Sequence, residues 1–402
     1  MKKILLLGGS TQQIPAIEYA NKQGYYTVLC DYLPDNPGQN YAKKFYCVST
    51  TDKEAILEVA KNEKVDGVVA YASDPAAPTA AYVAEKLGLP TNPYKSVEIL
   101  AFKDKFREFL KENNFNCPKA KGFSSLEDAK EEISQFTFPV MVKPIDSSGS
   151  KGVSKVETME DFEEAYRIAL GNSRGKKIII EEFIEQDHDY MIGGDCFVLD
   201  GEVVYWGFLN CHRDPKVNAL VPVGKSYPLL ISEDRIKQVK REIQRVVDLL
   251  HIEFGGFNVE AMIDSKERVF LIEMGPRNGG NMIPDFLKMI HGVDLIGATV
   301  EAAMGNKNFQ IEQKSNSGFY ATHNLHTDKD GLFQTVQYKN DIEDKILKEV
   351  IYKKKGDPVE YFDGANKAIG IVFFKFDTQE EQIEFMDNPN KWIEVIIGGV
   401  FG

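Results

Sequence analysis

The stretch V-F-L-I-E-M-G-P-R-N-G-G-N-M-I-P, residues 269–284, decides how the rest of the chain is read. Four apolar residues, Val269 to Ile272, have the continuity of a buried strand. That strand ends on a carboxylate, Glu273. Gly275 and Pro276 then break it, and Arg277 follows before Gly279 and Gly280. Thirteen residues upstream of Glu273 lies Glu260, in G-F-N-V-E-A-M-I-D. A strand, a turn at Asp264–Glu267 and a return strand put Glu260 and Glu273 side by side. Two carboxylates held together repel unless a cation lies between them. A guanidinium beside them suits an anionic ligand. The plainer reading of the same residues is a hairpin with solvated acids and a glycine-rich turn.

Working outward, the segment F-P-V-M-V-K-P-I-D-S-S-G-S-K-G-V, residues 138–153, sets Lys143 inside an apolar strand. A loop of small residues follows: Ser147, Ser148, Gly149, Ser150 and Gly152. Such a loop exposes backbone N–H groups that close over phosphate oxygens, and a lysine supplies the matching charge. It is not a Walker-type P-loop. A strand-end lysine reaching water before a flexible turn is the plainer alternative.

Together these segments resemble the ATP-grasp superfamily of ATP-dependent ligases. The matching features run in order: a lysine opening the central domain, P-V-x-V-K-P with its Ser/Gly loop, E-E-F-I at residues 181–184, and E-x-x-P-R after a strand. The resemblance covers residues 1–305 and is strongest to carboxylate–amine ligases similar in their central part to carbamoyl phosphate synthase and biotin carboxylase. It implies an α/β and α+β multidomain chain. A Rossmann-like parallel sheet (the pre-ATP-grasp domain) takes residues 1–101. The two-lobed ATP-grasp domain follows, with a small lid subdomain at 102–185 and a large subdomain at 186–305. A small α+β lobe takes 306–402.

The resemblance also implies roles. ATP and Mg²⁺ (with Mn²⁺ as a substitute) are the cofactors, and Glu260 and Glu273 hold the metal. Lys103 and Lys143 meet phosphate. Lys105 is the alternative to Lys103, but counting back from Asn114, which tolerates the left-handed helix end, favours Lys103. The segment Glu181, Glu182, Phe183 and Ile184 is the hinge behind adenine, with the Glu182 carbonyl and the Ile184 N–H reading its edge. Asp189 holds the ribose hydroxyls, with Asp187 as the alternative. Arg277, with Arg213 or Lys216, contacts phosphate or substrate. The reaction implied is ADP-forming: a carboxylate is activated as an acyl phosphate and an amine attacks it. Carboxylation with bicarbonate, and a nucleotide-binding protein that has lost catalysis, are the alternatives. One departure stands out. Where the family usually has E-x-N-P-R, with the Asn helping at the magnesium site, this chain has Gly275. Asn278, Asn281 or a water is the expected substitute.

Composition narrows the field. With 402 residues there is length for two to four domains. A 43% hydrophobic and 27% charged composition is that of a globular protein. The net charge of −13, without a basic run, disfavours nucleic acid as a partner. Five scattered cysteines contain no C-x-x-C pair, and no apolar run approaches the ~18 residues of a membrane span. The expectation is a cytoplasmic protein that takes small-molecule carboxylate and amine substrates, with a homodimer left open.

Elsewhere the order of elements adds detail. Strand–helix alternation over residues 1–100 argues for a parallel sheet. Ser73-Asp74 lies at its C-terminal edge and reads either as a substrate contact or as a helix N-cap. Asn210–Tyr227 reads as a long polar loop carrying His212, Arg213, Lys216 and Lys225. His212 reads as a general base or, more simply, a hydrogen-bonded surface histidine. His323 and His326 are too oddly spaced along a strand to share a face as a metal pair, and read as surface or strand-end histidines.

Overall fold

The computed structural model describes residues 1–399. Its first four strands, β1 (Lys3–Leu7), β2 (Tyr26–Asp31), β3 (Lys44–Cys47) and β4 (Gly67–Val69), form a parallel sheet in the order β3-β2-β1-β4. K-I-L-L-L and Y-T-V-L-C-D are apolar nearly throughout because both faces are covered. Leu5, Leu7, Val28 and Cys30 pack with α2 (Lys53–Glu63) and α3 (Ala77–Leu87) on one side. Ile4, Leu6 and Leu29 pack with α1 (Ile14–Lys22) on the other. Asp52 starts α2 by accepting the Ala55 N–H, and Gly88 ends α3 in the left-handed conformation.

Two helices lead out of this domain, α4 (Tyr94–Ala101) and α5 (Lys103–Glu112). The buried stripe of α5 is Phe106, Phe109 and Leu110. Asn114 follows it at φ +57°, the left-handed ending anticipated above. The lid is a four-stranded antiparallel sheet in the order β5-β8-β6-β7. Its elements are β5 (Ala120–Phe123), α6 (Leu126–Glu132), β6 (Val140–Pro144), β7 (Ser154–Val156), α7 (Phe162–Gly171) and β8 (Ile178–Glu182). Alternating residues of β6, Val140 and Val142, bury against α6 and α7, which leaves Lys143 facing the opposite way.

The large subdomain is built on β9 (Met191–Leu199), β10 (Glu202–Asp214), β11 (Asn218–Tyr227), β12 (Phe254–Ile263) and β13 (Val269–Gly275). Helix α8 (Glu233–Leu249) covers one face; α9 (Ile283–His291) and α10 (Leu295–Ala303) lie on the other. Helix α10 also packs onto the first sheet through Ile296 and Val300, which fixes the first domain against the hairpin. After residue 305 come β14 (Phe319–Leu325), β15 (Gly331–Tyr338), β16 (Ile346–Ile351), β17 (Pro358–Val359), β18 (Gly370–Phe376), α11 (Gln379–Asp387) and β19 (Ile393–Gly398). Three of these strands extend the large sheet, whose order is β13-β12-β9-β10-β11-β14-β18-β16. The other three form a small sheet in the order β17-β15-β19.

One expectation is corrected here. Asn210–Tyr227 is not a long loop: β10 runs to Asp214, β11 begins at Asn218, and only residues 215–217 turn between them. Polar side chains misled the reading, because β11 pairs on both edges and period-two burial is supplied by β14 and by residues 362–368. No helix among the described residues is long and apolar enough to cross a membrane.

Candidate active site

The hairpin forms as its sequence suggests. β12 and β13 are antiparallel, and Glu260 and Glu273 are register partners. Asp264 fixes the turn: its carboxylate accepts the Lys266 and Arg268 N–H groups and the Arg268 guanidinium. Val259 and Ala261 bury against α8, so Glu260 faces the opposite side. Lys103, the first residue of α5, brings its Nζ to 3.7 Å from Glu273 and donates to the Ser147 carbonyl at 2.9 Å. Lys105, the alternative, pairs instead with Glu98 at the surface. Burial pushes the Glu273 carboxyl up from its ordinary range; Asp74 and Glu260 add to this, and Lys103 opposes it. Such crowding of carboxylates is relieved by a cation, which makes the pair chemically suited to magnesium. Among the described residues, no group of three or more His, Cys, Asp or Glu is arranged to hold a metal on its own. A metal here would therefore draw remaining ligands from substrate and water.

Lys143 is not a free ammonium. It lies 2.6 Å from Glu181, whose carboxylate also faces Arg107 at 3.0 Å. That Nε–Oε1 approach lacks the alignment of a hydrogen bond, while Arg107 Nη2 donates to Glu181 Oε2 at 3.5 Å. Glu181 is 2% exposed, and despite burial its two cations hold the carboxyl down at about 2. Its side chain is thus an internal counter-ion. Arg107 also donates to the Leu271 and Ile272 carbonyls, immediately before Glu273. One buried cluster therefore ties the hairpin, the helix carrying Lys103 and the strand carrying Lys143. Arg107 escaped notice in the sequence because only its burial beside Phe106 distinguishes it.

The Ser/Gly loop is docked. Ser147 Oγ donates to the Lys151 carbonyl, Ser150 Oγ to the Leu220 carbonyl, and Ala365 N–H to the Gly149 carbonyl. Gly149, Ser150 and Gly152 all have positive φ, and Ser148, just before them, is half-buried. In the 181–184 segment, Glu182 accepts the Thr137 N–H, Phe183 is exposed under Lys155, and Ile184 is half-buried. Asp187 is held by Arg235 at 2.9 Å, whereas the exposed Asp189 carboxylate has no partner among the described residues.

On the β10–β11 hairpin, Arg213 is half-buried and reaches the Leu220 carbonyl, and Lys216 lies in the turn. His212 is not at the surface. It is 2% exposed and meets Ser226 Oγ, and burial lowers its pKa to about 3, so it is neutral. His323 is buried too, and His326 is half-buried, with their ring centroids 5.4 Å apart. His326 lies one residue past β14, so strand alternation does not separate them. Lys225 is a residue that sequence reasoning left in a loop without a role. It is buried, donates to Cys211 Sγ at 2.6 Å, and lies over Gly193, the β9 partner of Glu260.

Arg277 forms the end of the site. Its turn is anchored by the buried Asp195, which accepts the Gly279 N–H and the side chains of Asn258 and Asn278. The guanidinium pairs with Asp74 at 2.5 Å. Ser73 makes no side-chain cap, so the capping role read for these two residues is not what Ser73 does here. The substitutes expected for an Asn at 275 are also engaged elsewhere. Asn278 is held between Asp195 and Thr299, and Asn281 is bound to Gln12.

A parallel-sheet domain, a lid, and a large antiparallel sheet enclosing paired carboxylates and lysines define an ATP-grasp protein. The chain belongs to the family described as "Carbamoyl-phosphate synthase L chain, ATP binding domain", whose model matches residues 103–310, just over half of it. Among curated relatives, it is 26% identical over 292 residues to the carbamoyl phosphate synthase large chain of Thermotoga petrophila, covering 69% of this chain. It spans about a quarter (26%) of that protein's length. It is 27% identical over 288 residues to the formate-dependent phosphoribosylglycinamide formyltransferase of Prochlorococcus marinus, covering 69% of this chain and 70% of the relative. Among solved structures, the L-amino acid ligase from Bacillus licheniformis superposes with a TM-score of 0.82 at 20% identity, over 99% of both chains. That likeness concerns the fold.

Proposed function

We propose that the protein is an ADP-forming carboxylate–amine ligase. The observation that carries this reading is the register pairing of Glu260 with Glu273 beneath Lys103. Membership of an ATP-binding family supports it. A carboxylate does not react with an amine in water because its oxygen is a poor leaving group. Phosphorylation by ATP supplies a good one, but brings two anions together, and positive charge must separate them. Glu260 and Glu273 would hold Mg²⁺, or Mn²⁺ in the same oxygen site; the metal supplies charge neutralisation at the phosphates. Lys103 lies beside Glu273 and Lys143 is held by Glu181; in this reading both would meet the phosphates, and Arg277 would orient the acyl anion with Arg213 or Lys216. The Ser147–Gly152 loop covers the phosphates and excludes water, which would hydrolyse the acyl phosphate. The backbone of Glu182 and Ile184 would read adenine, and Asp189, unlike the engaged Asp187, is available for ribose.

The same proposal assigns residues 1–101 and 102–305 to substrate binding and ATP chemistry, and places a homodimer in the cytoplasm. Five free cysteines support a reducing compartment. The test is ADP release from Mg-ATP with pooled amino acids, small dicarboxylates and bicarbonate. ADP formed with one carboxylate pool and an amine supports the ligase. Bicarbonate-dependent release alone replaces it with carboxylation. Glu273→Gln should lower turnover by about 10²–10³-fold with the fold intact; near-normal turnover refutes the metal role.

A further inference from the structure

We propose that Asp74 holds the attacking amine, and that the absence of a side chain at position 275 is what admits it. The inference rests on the ligase reading above and names the amine's class. Asp74 follows β4, at the C-terminal edge of the first sheet, where loops meet ligands in parallel α/β folds. It approaches the hairpin from another domain. Its Oδ2 pairs with Arg277, while no described residue donates a hydrogen bond to its Oδ1. That free oxygen lies 3.0 Å from where a Cβ on Gly275 would stand. The amide oxygen of an asparagine at 275 would lie about 2.4 Å from the same Cβ by standard bond lengths. A side chain at 275 therefore begins in tight contact with that oxygen and crowds the space beside it, so Gly275 and Asp74 act as a unit.

A further observation points to a ligand at this place. The Arg277 side chain is 9% exposed, yet its buried Nε has no hydrogen-bond partner. Arg277 and Asp74 thus present one fixed cation and one fixed anion beside the paired glutamates. The acyl phosphate suits the arginine, and an ammonium suits the free aspartate oxygen. The second substrate is therefore an aliphatic amine, charged at neutral pH, rather than an aromatic amine that carries no charge there. In the step itself, the ammonium first passes one proton through Asp74 to water, and the freed nitrogen lone pair forms the C–N bond. The C–O bond to phosphorus breaks with its electron pair on phosphate. The second proton the nitrogen loses stays on the departing phosphate as hydrogen phosphate.

The experiment separates the two half-reactions in the full-length protein. Hydroxylamine, a small uncharged nucleophile, traps the acyl phosphate as a hydroxamate without needing an ammonium site. Asp74→Asn should lower kcat/KM for the amine by about 10- to 100-fold, the worth of a hydrogen bond to a charged group, through KM above all. Hydroxamate formation and Mg-ATP affinity should change by far less. Gly275→Asn should give the same signature, and joining Asp74→Gly to it should cost no more than Gly275→Asn alone. An unchanged amine KM in Asp74→Asn, or an equal fall in both half-reactions, overturns the assignment while the ligase stands. A wild-type protein that yields neither hydroxamate nor ADP overturns the ligase reading and this inference together.

Discussion

Replacing Glu181 with glutamine tests the buried cluster that joins the lid to the hairpin. The substitution keeps size and removes the one negative charge between Arg107 and Lys143. The Glu181 carboxyl falls from 4.5 to about 2 in the fold. At ~1.36 kcal/mol per pKa unit, that depression corresponds to about 3 kcal/mol of stability at neutral pH. Breaking a buried ion pair by removing one partner gives a similar figure, ~3–5 kcal/mol. The sign follows from the direction: the stabilisation is full above the unfolded value of 4.5 and disappears as pH falls toward about 2. Urea denaturation at pH 7 should show Glu181→Gln weaker by about 3 kcal/mol, with the gap narrowing below pH 4.5. Mg-ATP affinity should fall as well, because Lys143 loses the partner that fixes it. Arg107→Met combined with Glu181→Leu should cost less than the sum of the single changes. A Glu181→Gln protein within ~0.5 kcal/mol of wild type, with unaltered nucleotide affinity, refutes the reasoning.

Other expectations concern single groups. Lys103→Ala should weaken Mg-ATP binding by about 10- to 100-fold in calorimetry, as loss of a charge-assisted contact. Lys105→Ala, on the same helix but paired with Glu98 at the surface, should leave binding within a few-fold; the reverse ranking would misassign the phosphate lysine. His212, His291 and His323 are buried neutral, with pKa values lowered to about 3, about 4 and about 3. The unfolded chain therefore binds more protons, and stability should fall as pH drops below about 6.5, by ~1 kcal/mol per histidine per pH unit. Denaturation midpoints that do not move between pH 7 and 5.5 would rule this out.

What the chain disclosed before folding was its local chemistry. The acids of residues 260 and 273 lie on strands joined by a short turn, so their meeting followed from period two and Asp264. The choice of Lys103 over Lys105 rested on the family resemblance, counted back from the helix end at Asn114. Contacts between distant segments left no such trace. Arg277 meets Asp74 across 203 positions and Arg107 meets Glu181 across 74, and neither pair has a periodic signature. The strands of residues 210–227 were hidden for a related reason. Their partner β14 lies nearly a hundred residues on, and a polar inner face resembles a loop until that partner is known.

The joining of β11 to β14 bears on how the protein can be cut. The family match stops at residue 310, before β14 begins. Expressed alone, that segment would end with the β11 edge from Gly224 to Tyr227 stripped of its backbone partners. Gln382, which binds the carbonyls of Tyr227 and Tyr320, would be lost with it. An open, apolar-backed edge recruits other chains, so the excised piece should aggregate rather than fold. The span matched by the family and the span that folds as one are different lengths of this chain.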